Sequence, residues 1–405
     1  MAMSVRQRYL AVLWSVLTLA LAVTGTDAQP TMTVTMRLAE AEWHVVRQEV
    51  LPPFEAVCNC RVRAIDVPPE TLVQRLRAMQ QAGRMEVDLF AQDNMRLQEL
   101  IDTALAAPFT PEESQVEEAI YPSLMAVGVS GGVRYFLPFR PNVQIAYYNA
   151  EKFAQYRLQP PRTWPELLTV ARTFYEKEQT GRVLFTSAGG APTTTQLYEW
   201  IVAAGGDPFD FAHPGTVDTF RFLATLRPYL SSESRRAKWN TTNDALAQEV
   251  AYLAQNWPFG VPLLIQEYDK TAIRTYSGWA GPVREAHVIG GDVLGIPVGA
   301  PHRQLALALI RHLQSREVQA IFANRLGWAS VRSDTTASVE TWLQPHVAAV
   351  GEAMRHGIFR TNVSYWAAYE RLVDEAVQRI LWRHEDPEQV LPPLAARLAT
   401  LREHP

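Results

Sequence analysis

The chain of 405 residues is 47% hydrophobic and 20% charged, which is enough for roughly two or three domains and a large core. A net charge of −4 and a pI near 6.2 leave no basic face for nucleic acid. Eleven Trp and 10% aromatic residues exclude a disordered chain.

Residues 1–28 differ in character from the rest of the chain. Arg6 and Arg8 precede an almost wholly apolar run from Leu10 to Val23, then Thr24-Gly25-Thr26-Asp27-Ala28. This is the layout of a secretory signal with small residues before the cut. The apolar run is too short for a bilayer span, which needs ~20 residues. Cleavage after Ala28 predicts a periplasmic or extracellular protein, and no Cys near the cut offers a lipoprotein anchor.

Past Pro30, strand-period and helix-period segments alternate. Thr33 to Leu38 reads as a strand and Trp43 to Ala56 as an amphipathic helix. Arg61 to Val67 is a strand, Glu70 to Gln81 a helix with Leu72, Leu76 and Met79 on one face, and Val87 to Ala91 a buried-type strand. This β-α-β-α-β order predicts an open α/β sheet, in which ligands bind beyond the carboxyl ends of the strands. The loops Ala39 to Trp43 and Asp93-Asn94 therefore point at a common crevice. Cys58 and Cys60 read as two thiols at a helix end, with a local, reducible disulfide as the alternative. Without nearby His they make no zinc site.

Farther on, Asn149 reads as a helix N-cap, and Tyr147-Tyr148 as a strand that buries at least one ring. Thr163-Trp164-Pro165-Glu166 forms a capping box. A helix ending near Ala254 leads into the loop Asn256-Trp257-Pro258-Phe259-Gly260. Ser364 opens a late helix with Trp366, Tyr369, Val373 and Ile380 on one face. Asp386 caps a final helix, which Pro392-Pro393 is expected to interrupt. No linker, repeat or low-complexity tract marks a domain boundary.

Several stretches in order resemble the extracellular solute-binding proteins of carbohydrate ABC importers, the group that includes maltose-binding protein. They are Val87 to Asp93, Tyr135-Phe136-Leu137-Pro138, Tyr147-Tyr148-Asn149 with Phe153, Pro160-Pro161-Arg162-Thr163-Trp164, Gly205-Gly206, Gly290-Gly291 with Leu294-Gly295-Ile296, and Ala306 to Gln319. Three departures are Leu326 to Arg332, Arg360-Thr361 and Cys58-Asn59-Cys60. The resemblance implies a two-lobed periplasmic-binding-protein fold, each lobe an open sheet flanked by helices, with the ligand crevice between them. It places residues 30–142 and 288–335 in the first lobe, and 143–287 and most of 336–405 in the second. It also implies a monomer without enzymatic activity or cofactor, partnered by a carbohydrate and by the permease subunits.

A sugar presents hydroxyls that donate and accept, together with apolar C–H faces. Its site therefore needs carboxylates, amides, Arg and aromatic planes. Glu40, Glu42 and Asp93 supply acceptors at strand ends, and Asn142 at the crossover both donates and accepts. Trp257 matches a family position that presents a stacking ring; its change to Ala is expected to weaken binding without unfolding, with core packing as the rival reading. Trp279 between glycines, the backbone of Gly291, and Arg360 complete the candidate set. Trp43, Trp328 and Trp366 read as core or rim. Within sugars the expectation is a disaccharide or small glycoside of the trehalose or maltose type.

Two rival classes remain. The same fold could take glycerol phosphate, with Arg140 and Arg360 as its cations, or a polyamine, or ferric ion held by Tyr147-Tyr148. A glycoside-acting enzyme would need a carboxylate pair at ~5–9 Å with split pKa values. No pair in the sequence has reason for such a split, and there is no Gly-x-Ser-x-Gly elbow, Walker loop or His-Glu-x-x-His helix.

Overall fold

The computed structural model describes residues 29–403; the predicted signal lies outside them. The chain lays down β1 (Thr31–Met36), β2 (Arg61–Asp66) and β3 (Leu89–Asp93), a short hairpin of β4 (Val129–Ser130) and β5 (Val133–Arg134), and then β6 (Leu137–Val143). It continues with β7 (Ile145–Asn149), β8 (Val183–Leu184), β9 (Leu253–Asn256) and β10 (Ile273–Tyr276), and returns through β11 (His287–Gly295) and β12 (Gly357–Phe359). Besides the two-stranded β4-β5 hairpin, two larger sheets result, one per lobe. The first runs β12-β11-β3-β1-β2 with β6 also paired to β11, and the second runs β10-β7-β9-β8. This is the two-lobed α/β architecture, with several crossings between lobes instead of one linker. One crossing is Gln144, which alone separates β6 from β7. Another joins β10 to β11.

Strand β1 is buried from Met32 to Met36 and pairs in parallel with both β2 and β3, as a central strand covered on both faces does. Met32, Val34, Phe54, Leu294, Leu309 and Phe322 fill the first core. Phe153, Trp164, Trp200, Phe220, Tyr369 and Leu394 fill the second. A third cluster lies under the crossing strands, with Val143, Ile145, Tyr147, Ile289 and Met354. Among the described residues no helix is long and apolar enough to cross a membrane.

Several local expectations hold. Asn149 caps its helix through Lys152 N–H at 3.1 Å, and Tyr147 is fully buried with its hydroxyl donating to Trp257 O at 2.7 Å. Thr163 accepts from Glu166 N–H, but Glu166 reaches back to the Arg162 N–H, one residue beyond the N-cap. The late helix, Trp366–Val377, buries Tyr369, Val373, Ala376 and Val377.

Four local readings change. The helix over 43–56 begins at Glu40 and contains a π turn at Val46–Val50, just ahead of Pro52-Pro53, whose missing N–H donors break the regular ladder. The helix expected to end near Ala254 ends at Ala247, and Ala254 lies in β9 instead. That strand, Leu253-Ala254-Gln255-Asn256, is buried throughout and paired on both edges, so its two apolar and two polar residues show no alternation to separate it from a helix. Pro392 and Pro393 sit inside the Pro387–Glu403 helix without ending it, because Val390, Leu391, Leu394 and Leu398 bury one face on the core. Cys58 and Cys60 are joined in a disulfide, with Asn59 between them in the left-handed region at φ 48°.

His346 sits under the crossing strands, 4% exposed, its Nδ1 2.9 Å from the Thr275 hydroxyl. Burial, with the nearby charge of Arg274, pulls its imidazole down to about 4. A depressed group favours the folded state above its unfolded value and stops doing so as pH falls. Melting temperature should therefore decline as pH drops from about 6.5 toward about 4. His346→Gln keeps a partner for Thr275 without the titration, so its melting curve should be flatter over that range; an unchanged slope would place the acid sensitivity elsewhere.

Candidate functional site

Register brings three charged residues side by side across β3, β11 and β6, at the carboxyl end of β3. Strand β11 pairs Asp292 with Asp93 on one edge and with Arg140 on the other. Arg140 Nη2 donates to Asp292 Oδ2 at 2.6 Å, and Nη1 to Glu42 Oε1 at 3.3 Å. The guanidinium lies 4.8 Å over the Trp328 ring, and Trp328 Nε1 donates to the same Glu42 oxygen at 2.9 Å. Glu42 Oε2 accepts from Ala39 N–H at the start of its helix. Glu42 is thus engaged at both oxygens and positions its neighbours. Burial pushes the Asp292 carboxyl above the usual range; Arg140 opposes this, while Asp93 and Glu42 add to it.

Gly291 makes the close pairing of β11 and β6 sterically feasible. Its φ is +99°, and a Cβ there would lie 2.0 Å from Arg140 O. At Gly290 a Cβ would meet the Trp257 ring at 3.2 Å.

A cavity of about 230 Å³ opens above this floor, lined by Glu42, Arg140, Asn142, Gly291 and Trp328 from the first sheet's side. Phe259, 40% exposed, and Pro258 face it from the second lobe. A second cavity of about 450 Å³ has Met95 and Gln98 on one wall and Asn362 and Ser364 on the other. Asn362 Nδ2 donates to Asn94 O at 2.9 Å. Near this junction Arg360 Nη1 donates to Thr195 Oγ1 at 2.9 Å and the guanidinium lies 5.7 Å from the Trp366 ring. Burial lowers the pKa of Arg360, opposed by the charges of Asp93 and Glu370. Arg360 Nε, Asn94 Oδ1, Asn362 Oδ1 and Thr194 Oγ1 are buried without a hydrogen-bond partner, a concentration of unmet polarity that folded interiors avoid.

Of the predicted residues, Glu42, Asn142 and Gly291 meet in the smaller cavity. Asp93 stands next to Asp292, and its charge is felt by Arg360, although these two side chains flank the cavities and line neither. Glu40 is exposed in the first turn of its helix and lines neither cavity. Trp257 is 5% exposed, packed against Trp239 and over Gly290, and Trp279 is 3% exposed against Trp200; neither lines a cavity. Trp328, read as core or rim, and Phe259 line the cleft although neither stood in the candidate set. For Trp328 a signal existed: Gly327, left-handed at φ 65°, ends the Arg316–Leu326 helix and turns the next residue away from it. For Phe259 only its place two residues beyond Trp257 offered a hint. Among the described residues no cluster of three or more His, Cys, Asp or Glu could hold a metal ion.

The profile of the bacterial extracellular solute-binding protein family matches residues 49–349. A probable ABC transporter-binding protein of Deinococcus radiodurans is 22% identical over 381 residues, covering 84% of this chain and 86% of that one. Among solved structures, the sugar-binding protein MalE of Xanthomonas citri superposes with a TM-score of 0.77 at 18% identity, over 92% of this chain and 98% of that one. The GacH receptor of Streptomyces glaucescens, solved without ligand and with acarbose, gives 0.71 at 16% identity over 93% and 99%. At such identities the structural likenesses establish the fold.

Proposed function

The chain belongs to the bacterial extracellular solute-binding proteins, and from that premise we propose that it captures a neutral carbohydrate, a disaccharide or small glycoside, between its lobes and delivers it to an ABC permease. Its family consists of binding proteins of transporters and not of enzymes. The observation that carries the ligand class is the charge balance of the cleft. Glu42 and Asp292 are already paired with Arg140, and Asp93 faces Arg360. A phosphate ligand needs surplus cations, and Arg140 is committed. A polyamine needs unpaired carboxylates, and two of the three are engaged. Charges that already face opposite charges, with the Asn142 amide and one exposed aromatic ring beside them, fit a polyhydroxy ligand with apolar faces.

In this reading Asp93 and Arg360 bind one hydroxyl pair, Asn142 and the Gly291 backbone bind others, and Phe259 stacks on a ring face. Glu40, Trp257 and Trp279 are left out because of where their side chains lie. The remaining parts of the reading are a monomer exported by cleavage after residue 28, with lobes of 30–142 plus 288–335 and 143–287 plus 336–405. Strand β12 is the exception, since it hydrogen-bonds into the first sheet.

A thermal-shift screen against maltose, trehalose, glycerol phosphate and spermidine tests this, because a ligand of the native state raises the melting point by mass action. A shift with spermidine or glycerol phosphate and none with a sugar would overturn the ligand class. Phe259→Ala should weaken sugar binding about tenfold or more, through lost stacking and buried area, with the melting point of the unliganded protein unchanged. Equal affinity would remove Phe259 from the site.

A further inference from the structure

The strand that carries the chain back from the second lobe to the first begins at His287, and this imidazole is completely buried. Its Nε2 lies 2.9 Å from Glu285 Oε1, in the crossing segment, and its Nδ1 3.6 Å from Glu199 Oε1, on the second lobe's Ala191–Ala203 helix. Glu199 is itself held in place, accepting from Gln255 Nε2 of β9 at 2.6 Å and from Val288 N–H at 2.8 Å. On the far side, His356 Nε2 stands 3.7 Å from Glu285 Oε2 and 3.9 Å from Glu352, and the His287 N–H donates to His356 O. His356 immediately precedes β12. Gly278, at φ +131°, leaves room for the ring: a Cβ there would lie 2.9 Å from His287 Cε1.

We propose that His287 is a positioning residue for lobe movement, a buried cationic pin that ties Glu199 of the second lobe to Glu285 of the crossing segment and so sets the angle between the lobes. Nothing in ligand capture itself employs this group, which touches neither cavity. Without its proton, the buried Glu199 carboxylate loses its cation while Glu285, 26% exposed, still faces it across the ring, and a buried charge that loses its partner is strongly destabilising. The segments able to yield are those that carry Glu285 and His356, because Glu199 is held in its helix by Gln255 and by the Val288 N–H.

The same contacts set the protonation state. Burial by itself would pull the imidazole down, but the charge of Glu199 at 3.6 Å and the hydrogen bond and charge of Glu285 lift it to about 9 from 6.5. Hydrogen bonding to His287, against burial, holds Glu285 below the usual carboxylate range, with His356 and Ser277 helping. A raised His stabilises fully below about 6.5 and loses that contribution as pH climbs through about 9.

The inference rests on the two-lobed binding-protein reading but not on the ligand being a sugar, so it is tested on the unliganded protein. Small-angle scattering and hydrogen exchange over residues 277–288 and 354–359 are followed against pH. The wild type should keep one radius of gyration at neutral pH, then expand and exchange faster as pH rises through about 9. His287→Gln should show the expanded state already at neutral pH and no transition near 9. Glu285→Gln, a partly exposed position, should move the transition to lower pH, and it serves if His287→Gln fails to fold. An unaltered alkaline transition in His287→Gln, or the wild-type radius throughout in both variants, would overturn the proposal. A failed sugar screen with this pH behaviour intact would sink only the ligand assignment.

Discussion

Trp257→Ala is expected to lower folding free energy by about 3–5 kcal/mol, the usual cost of truncating a buried Trp. The indole is 5% exposed, crosses Trp239 at 5.9 Å, and lies over Gly290, where nothing larger than hydrogen fits comfortably. Its carbonyl also receives the buried Tyr147 hydroxyl, so the loop and the crossing strand β7 are tied at this residue. Removing the ring empties the junction between β11 and the second core, and the strands around it cannot collapse into the space. Denaturant unfolding followed by circular dichroism should show an earlier transition, in steps if the lobes unfold separately. Full stability with weakened ligand binding would instead place the ring in the site, as the sequence alone leads one to expect.

Arg140→Met is expected to cost about 1–3 kcal/mol, between an exposed and a fully buried pair, because breaking this half-buried pair leaves carboxylate charge uncompensated. Here two carboxylates lose their partner: Asp292, with a side chain 13% exposed, and Glu42 at 24%. The Trp328 ring loses the cation over its face as well. Adding Asp292→Asn to Arg140→Met should recover part of the loss, since the buried charge is then gone; the double-mutant cycle isolates that coupling. A single variant as stable as the wild type would show that water reaches Asp292 and that the trio is not a preformed part of the cleft floor. If the single variant folds, its sugar affinity should also fall, because Glu42 and Trp328 are no longer held.

Much of the first lobe is legible in the sequence because its elements announce their period. Leu72, Leu76 and Met79 mark one helical face, and the short apolar run of β3 ends in Asp93, which stands beside Asp292 at the cleft floor. Local caps at Asn149 and Thr163 are legible for the same reason: each depends on neighbours within four residues. Sequence and structure part where a local pattern is ambiguous or overridden. Strand β9 has no period at all, and Pro392-Pro393 are carried through a helix by burial of its other face.

The site divides along the same line. Sequence alone determined which residue types stand at strand ends, and so Glu42, Asp93, Asn142 and Gly291 could be named from chain position and family resemblance. It could not say that Trp257 turns inward while Phe259 turns outward, or that Glu42 is already occupied. Those outcomes depend on which strands lie side by side: Arg140 and Asp292 are 152 residues apart in the chain, and Glu42 and Trp328 are 286 apart. Only the tertiary structure decides them, because sheet register and lobe crossings bring distant residues within a few ångströms, and no local propensity encodes such contacts. The His287 pin has the same origin. Its carboxylate partners come from one neighbouring segment and one distant helix, and an isolated His in a sequence carries no sign of either.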